Sequence, residues 1–209
     1  MEPKNYVVTI TNQFCCLGRK TANRLGQLLD IPCYNEELVR AAAEELDLSA
    51  QIVDENEERA RRIVDEYLSP MFRRLGDRTN VTQNMIFDAQ RKIIRRMADD
   101  ESCIIVGRCS DFILDEYKNV IRIFLYAPYE VRVRNCVEEL QMKESAARRL
   151  VTKKDEERKA YQLNYAGYLP ESIHHKDLSV NTAVFGVEET ARLLAQAVRA
   201  RFPSAEQKK

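Results

Sequence analysis

Two short groups of residues in this chain have the types and spacing to hold phosphate. The first is Gly18-Arg19-Lys20-Thr21, where a glycine, two cations and a hydroxyl follow the apolar run Tyr6–Thr11 by one turn, Asn12–Gly18. The second is Gly107-Arg108-Cys109-Ser110-Asp111, directly after the run Cys103–Val106. An arginine gives two parallel hydrogen bonds to an oxyanion, and a glycine beside it lets the backbone come close. A third group is strongly basic: Arg148, Arg149, Lys153, Lys154 and Arg158, with Asp155 among them. Phosphoryl transfer asks for charge placed around the moving group and for exclusion of water, and a basic helix can supply both. The shared chemistry of these groups is that of phosphate.

For that chemistry to work, the first two groups must sit at the carboxyl ends of neighbouring strands. Continuous apolar runs read as parallel strands buried on both faces, and open α/β sheets bind ligands at the carboxyl ends of such strands. Tyr6–Thr11, Cys103–Val106 and Val120–Tyr126 are runs of this kind, Ile31–Tyr34 is a short extended piece, and Asp177–Asn181 reads as a last strand. Helical spacing marks Arg19–Leu29, a segment 36–46 opened by Asn35 as a cap, 54–75 with a kink at Pro70, Val81–Met97, a helix from Pro128 to Leu140, 143–165 and Val187–Arg201. Strands alternating with helices predict a mostly parallel sheet with helices on both faces.

Composition narrows the class. The chain has 209 residues, enough for one domain with a full core, and 44% of them are hydrophobic. Its 33 basic residues are matched by 33 acidic ones, which argues against a general nucleic-acid binder. No run reaches the length of a membrane span, and the start MEPKNYVVTI lacks the pattern of a signal peptide, so a cytoplasmic place is expected. The six cysteines form no C-x-x-C pair and have only His174 and His175 to join them, so reduced thiols are expected and a metal site is not.

Several residues allow two readings. The turn Gln13–Leu17 departs from the phosphate-loop pattern G-x-x-x-x-G-K-[ST], and by itself could be an ordinary tight turn at a helix start. Arg108 fits a phosphate ligand or an ion-paired strand end. Arg40 fits a second phosphate ligand or a surface arginine. The basic stretch fits a closing lid or a solvated helix. Tyr161, Tyr165 and Tyr168 read as packing at the end of that helix rather than as a stacking platform.

The order IPCYNEELV, IIVGRCSDFIL, NVIRIFLYAP, the basic stretch, DLSVNT and GVEETARLL resembles the cytidylate kinase-like family, relatives of cytidylate kinase within the P-loop nucleoside monophosphate kinases, over residues 5–200. The segments GRCSDFIL and DLSVNT are the most specific parts of the likeness. The resemblance implies an α/β, three-layer P-loop NTPase-like fold. Its central parallel sheet would have about five strands flanked by helices, with a helical lid over about 143–168. Residues 1–202 would form a single domain and 203–209 a flexible tail. The implied activity is transfer of a phosphoryl group from ATP, with Mg2+ carried by the ATP, to a nucleoside monophosphate or similar small phosphate acceptor. Gly18, Arg19, Lys20 and Thr21 would bind the donor. Asn35, Arg40, Arg108 and Asp111 would bind the acceptor, and Arg149, Lys154 and Arg158 would act from the lid. The implied partner is a small-molecule nucleotide, with no nucleic acid and no membrane. Asn181-Thr182 falls where the family closes near the adenine side of the donor, though a polar strand end explains it equally.

The chain also departs from the family pattern. Gly18 and Arg19 match the end of a glycine-rich turn of the type G-S-G-G-R, but Cys15 and Leu17 stand where glycines are usual. The lysine of true cytidylate kinases aligns with Gly18, so Arg19 or Lys20 must supply its charge. Cys109 replaces the aspartate of the glycine–arginine–aspartate motif, Asn35 replaces an aspartate beside Tyr34, and Lys154 replaces a lid arginine. The two lost glycines are the best support for a rival reading, a non-catalytic binder of nucleotides or phosphometabolites. A scaffold that binds neither ligand is a third.

Overall fold

A computed structural model describes residues 5–48 and 73–203. The strands are β1 (Val7–Asn12), β2 (Cys33–Tyr34), β3 (Cys103–Val106), β4 (Val120–Tyr126) and β5 (Leu178–Asn181). The helices are α1 (Gly18–Leu29), α2 (Glu36–Leu46), α3 (Arg73–Asp100), α4 (Ser110–Ile113), α5 (Tyr129–Leu140), α6 (Glu144–Ala166) and α7 (Thr182–Arg201). The helix expected over 54–75, with its kink at Pro70, lies outside the described residues as far as 72.

The five strands form one sheet in the order β2-β3-β1-β4-β5, and every pairing is parallel. The apolar runs explain this. A strand with both faces covered needs side chains for two cores, and alternate residues supply them. Val8, Ile10, Ile104, Val106, Ile121 and Ile123 pack on one face with Leu25 of α1 and Leu194 and Val198 of α7. Val7, Cys103, Ile105 and Val120 pack on the other with Leu38 of α2 and Ile86, Ile93 and Ile94 of α3. A third, smaller cluster joins Val133 and Cys136 of α5 to Ala147 and Val151 of α6, with Phe14 and Cys15 against it.

One boundary and one cap differ from the sequence expectation, each for a local reason. The last helix starts at Thr182 rather than Val187, because the Asn181 side chain caps it by accepting from the Ala183 amide at 3.0 Å. Gly186 then breaks the helical path at φ 69°, which is why the periodic pattern is regular only beyond it. Asn35 stands at the cap position of α2, but its side chain makes no capping hydrogen bond. The carboxyl ends of β1 and β3 lie side by side, in register from Val7↔Cys103 to Ile10↔Val106, so their following loops open to the same place.

Candidate functional site

The loop after β3 is the first wall of this place. Gly107, Arg108 and Cys109 all have positive φ, at 74°, 60° and 52°. Left-handed backbone is easy for glycine and unfavourable for residues with a β-carbon, so Arg108 and Cys109 are held there by their surroundings. The loop after β1 is the second wall. Cys15 and Leu17 also have positive φ, at 56° and 61°. They keep the backbone path that glycines would take, with side chains attached. A β-carbon on Gly18 would lie 2.7 Å from the Asn12 side chain, so glycine is required there.

The carbonyls of the first loop are bonded to side chains from two helices, α5 and α7. Phe14 O accepts from Arg132 at 3.3 Å, Cys15 O from Asn135 at 2.9 Å, and Cys16 O from Thr182 at 2.7 Å. The Phe14 amide donates to Asp155 Oδ1 at 2.9 Å, and Asp155 is also ion-paired with Arg132. Sequence reasoning did not assign Arg132 a role. Its signal is a buried arginine beside Val133 and Cys136 on the packed face of α5. Burial, then the neighbouring Cys136, pushes the Cys15 thiol up to about 12.

The two loops, α2 and α6 enclose a cleft of about 670 Å³ lined by Arg19, Asn35, Arg40, Arg108, Lys154 and Arg158. Arg19, expected at the donor side, reaches into this cleft and pairs with Glu36 at 2.5 Å. Its guanidinium also lies against the Asn35 amide. With the amide oxygen facing it, the oxygen accepts at 2.6 and 3.0 Å, which explains why Asn35 does not cap its helix. Glu37 instead accepts from the Asn35 amide at 3.0 Å, and that bond leads the causes holding its carboxyl below the usual range. Arg158 donates to Asn12 O at 2.6 Å and lies over the Phe14 ring at 5.5 Å. Its head is open to the cleft but surrounded by protein. That desolvation, with Arg108 nearby adding to it, lowers its pKa against the pull of Asp155 and the neighbouring thiols. A bound anion relieves such a pair of cations. Lys154 faces the buried Glu157 at 3.6 Å.

Other expected residues lie elsewhere. Lys20 is ion-paired with Glu139 at 2.6 Å. Thr21 is buried and its hydroxyl donates to Leu17 O at 3.0 Å. Arg149 is exposed and does not line the cleft. Asp111 corrects the sequence expectation most clearly. Its carboxylate is buried and engaged by Lys176, by Tyr168 at 3.1 Å and by Gln162 at 3.2 Å, so it does not face an acceptor in the cleft. Burial and the Asp111 charge push the Tyr168 phenol up. Lys176 lies 65 residues along the chain, and no local pattern could have paired it with Asp111. Tyr161 and Tyr165 pack with Phe87, as the reading of the tyrosines expected, whereas Tyr168 stacks on His175.

Among the described residues, no group of three or more His, Cys, Asp or Glu side chains is gathered to hold a metal ion. No described helix is long and apolar enough to cross a membrane.

A family model described as the cytidylate kinase-like family matches residues 7–184. Curated proteins give no match. Among solved structures, an uncharacterized protein from Eubacterium ventriosum ATCC 27560 is 20% identical with a TM-score of 0.71, covering 94% of this chain and 99% of its own. Shikimate kinase from Bacteroides thetaiotaomicron is 10% identical with a TM-score of 0.53, covering 93% and 98%. Shikimate kinase from Acinetobacter baumannii, in complex with shikimate, is 11% identical with a TM-score of 0.51, covering 96% of each chain. At these identities the likeness is one of fold: a five-stranded parallel sheet flanked by helices, as in P-loop kinases.

Proposed function

Because this chain belongs to the cytidylate kinase-like family, we propose that it is a phosphotransferase moving a phosphoryl group from ATP to a nucleoside monophosphate or a similar small phosphate acceptor. One observation carries the reading. Arg19, Arg40, Arg108, Lys154 and Arg158 converge on one cleft at the carboxyl ends of β1 and β3. Glu36 and Glu157 line the same cleft and pair with Arg19 and Lys154, and phosphate is an anion that arginine forks match.

In this reading Arg108 and Arg40 hold the acceptor phosphate, and Asn35 offers hydrogen bonds to the rest of the acceptor. Helix α6 acts as the lid, with Arg158 and Lys154 facing the moving group and the helix keeping water out. The donor side is the first loop with the start of α1. The left-handed backbone of Cys15 and Leu17, a conformation that glycine adopts easily, supports this reading of the loop. The positive end of α1 favours an anion there. When bound, ATP with its Mg2+ supplies the phosphoryl group. Lys20 and Arg149 are paired or exposed in this structure, and under this reading they reach the site only on a change of side-chain position. The chain works as one domain, in the cytoplasm, with no nucleic-acid or membrane partner.

The test is ADP release from ATP and Mg2+ with AMP, CMP, GMP and UMP offered in turn. Release that depends on one acceptor supports the reading. A second reading is favoured by one feature, the β-carbons of Cys15 and Leu17 in the donor loop: a non-catalytic binder. It predicts monophosphate binding by calorimetry with no ADP release for any acceptor.

A further inference from the structure

The buried carboxylate of Asp111, three residues after Arg108, has no part in the chemistry above, yet it is fully hydrogen-bonded. We infer that Asp111, through its ion pair with Lys176, is the positioning residue that presents Arg108 to the cleft and ties that loop to helix α6. The inference rests on the proposed role of Arg108 as an acceptor-phosphate ligand.

The first ground is the backbone. Arg108 and Cys109 hold φ values of 60° and 52°, which residues with a β-carbon keep only where the surroundings fix them. The helix that follows, α4, has four residues and cannot hold its own geometry. Something outside the loop must fix it. Asp111 is the second residue of α4, and its side chain and that of Lys176 are 1% and 0% exposed. Its two oxygens accept from Lys176 Nζ, from Tyr168 Oη at 3.1 Å and from Gln162 Nε2 at 3.2 Å. The carboxylate is therefore saturated by partners on two other segments.

The second ground is where those partners come from. Gln162 lies on α6, one turn beyond Arg158 and on the cleft side. Tyr168 and Lys176 lie between α6 and β5. One carboxylate thus connects the loop carrying Arg108 to the helix carrying Arg158. The third ground is energetic. A buried ion pair is often no more stabilising than an apolar pair of the same volume, so stability alone does not call for one here. What a charged, fully bonded carboxylate adds is direction, because each bond fixes an angle that apolar packing leaves loose.

The test compares Asp111→Leu/Lys176→Met with the unaltered full-length chain. The double change removes both charges and leaves no buried ion unpaired. Unfolding midpoints, backbone chemical shifts of Arg108 and Cys109, and calorimetric affinities for CMP, inorganic phosphate and ATP are measured. The expected result is a midpoint close to that of the unaltered chain, loss of the left-handed shifts at Arg108 and Cys109, and affinity for CMP and phosphate reduced at least tenfold. ATP affinity should change by less than twofold. Unchanged shifts and CMP affinity within twofold would show that the pair only packs. Should the double variant not fold, Tyr168→Phe removes a single bond to the carboxylate. It should shift the same two residues and raise the acceptor KM two- to fivefold at constant kcat, and no shift there overturns the inference. If the unaltered chain binds neither CMP nor phosphate, the proposed acceptor role of Arg108 fails, and the chemical-shift comparison still decides what Asp111 holds.

Discussion

The loops after β1 and β3 solve the same problem in different ways. Each forces residues with side chains into the left-handed region, Cys15 and Leu17 in one, Arg108 and Cys109 in the other. The first loop is held from outside through its own main chain. Asn135, Arg132 and Thr182 each grip a carbonyl, and Asp155 grips an amide. The second is held through the buried Asp111 carboxylate, which Lys176, Tyr168 and Gln162 engage, while Arg122 donates to the carbonyls of Asp111 in the short helix that follows and of Leu114 at its end. A loop pinned at many main-chain points tolerates change in any one pin and in its own side chains. A loop whose pins centre on one buried ion pair is more sensitive to the loss of either charge. The main-chain pins also explain how Cys15 and Leu17 are held in the left-handed region despite their side chains.

The largest effect that would break this comparison comes from the second loop. Asp111→Ala or Lys176→Ala should destabilise the protein by about 3–5 kcal/mol, since each leaves a buried charge without its partner. By contrast, Asn135→Ala should cost only about 1 kcal/mol, one ordinary hydrogen bond among several. Urea unfolding of the three variants gives both values, and similar losses at Asn135 and Asp111 would erase the distinction drawn between the loops.

Next in size is binding. Arg108→Ala should weaken monophosphate binding by about 1.5–3 kcal/mol, the range of a charged hydrogen bond, while stability changes less. Unchanged affinity by calorimetry would make Arg108 a structural residue. Smaller still is the effect of restoring glycine in the first loop. In Cys15→Gly/Leu17→Gly the relief of left-handed strain and the greater freedom of the unfolded chain oppose each other at about 1 kcal/mol per residue. Stability should therefore move little, while ATP binding tightens because two β-carbons leave the loop. No gain in ATP affinity, with the fold intact, would show that those side chains do not limit the donor site.

The smallest effect at neutral pH is carried by the thiols. Burial raises Cys15 and Cys103 to about 12 and Cys33 to about 11, from an ordinary value of 9.0. A raised folded pKa means that the native state keeps its protons longer than the unfolded chain does. The contribution to stability is therefore complete below pH 9.0 and is lost as pH rises through about 11 to 12. Denaturation midpoints from pH 8 to 11 should fall with pH, and Cys15→Ala should make the fall shallower. The same burial predicts slow alkylation of Cys15 by iodoacetamide at pH 8.

Much of this protein was readable from its residues alone. The strands were legible because continuous apolar runs between helical patterns have few other solutions. The helix over about 36–46, expected from Asn35 as a cap, spans Glu36–Leu46. The convergence of Arg108 and Arg158 followed from their being set after a buried strand and within a basic helix, together with the family likeness. What the residues could not say is which side chains are spent on one another. Asp111 reads like a ligand, since it stands three residues beyond Arg108, yet a lysine 65 residues away takes its charge. Asn35 reads like a cap until Arg19 is beside it. Cys15 and Leu17 read like obstacles until their φ angles show the glycine path retained. Patterns along a chain report local preference and which face is buried. The pairing of charges and the strain a loop can bear are decided by partners from distant segments, and only the tertiary structure brings those together.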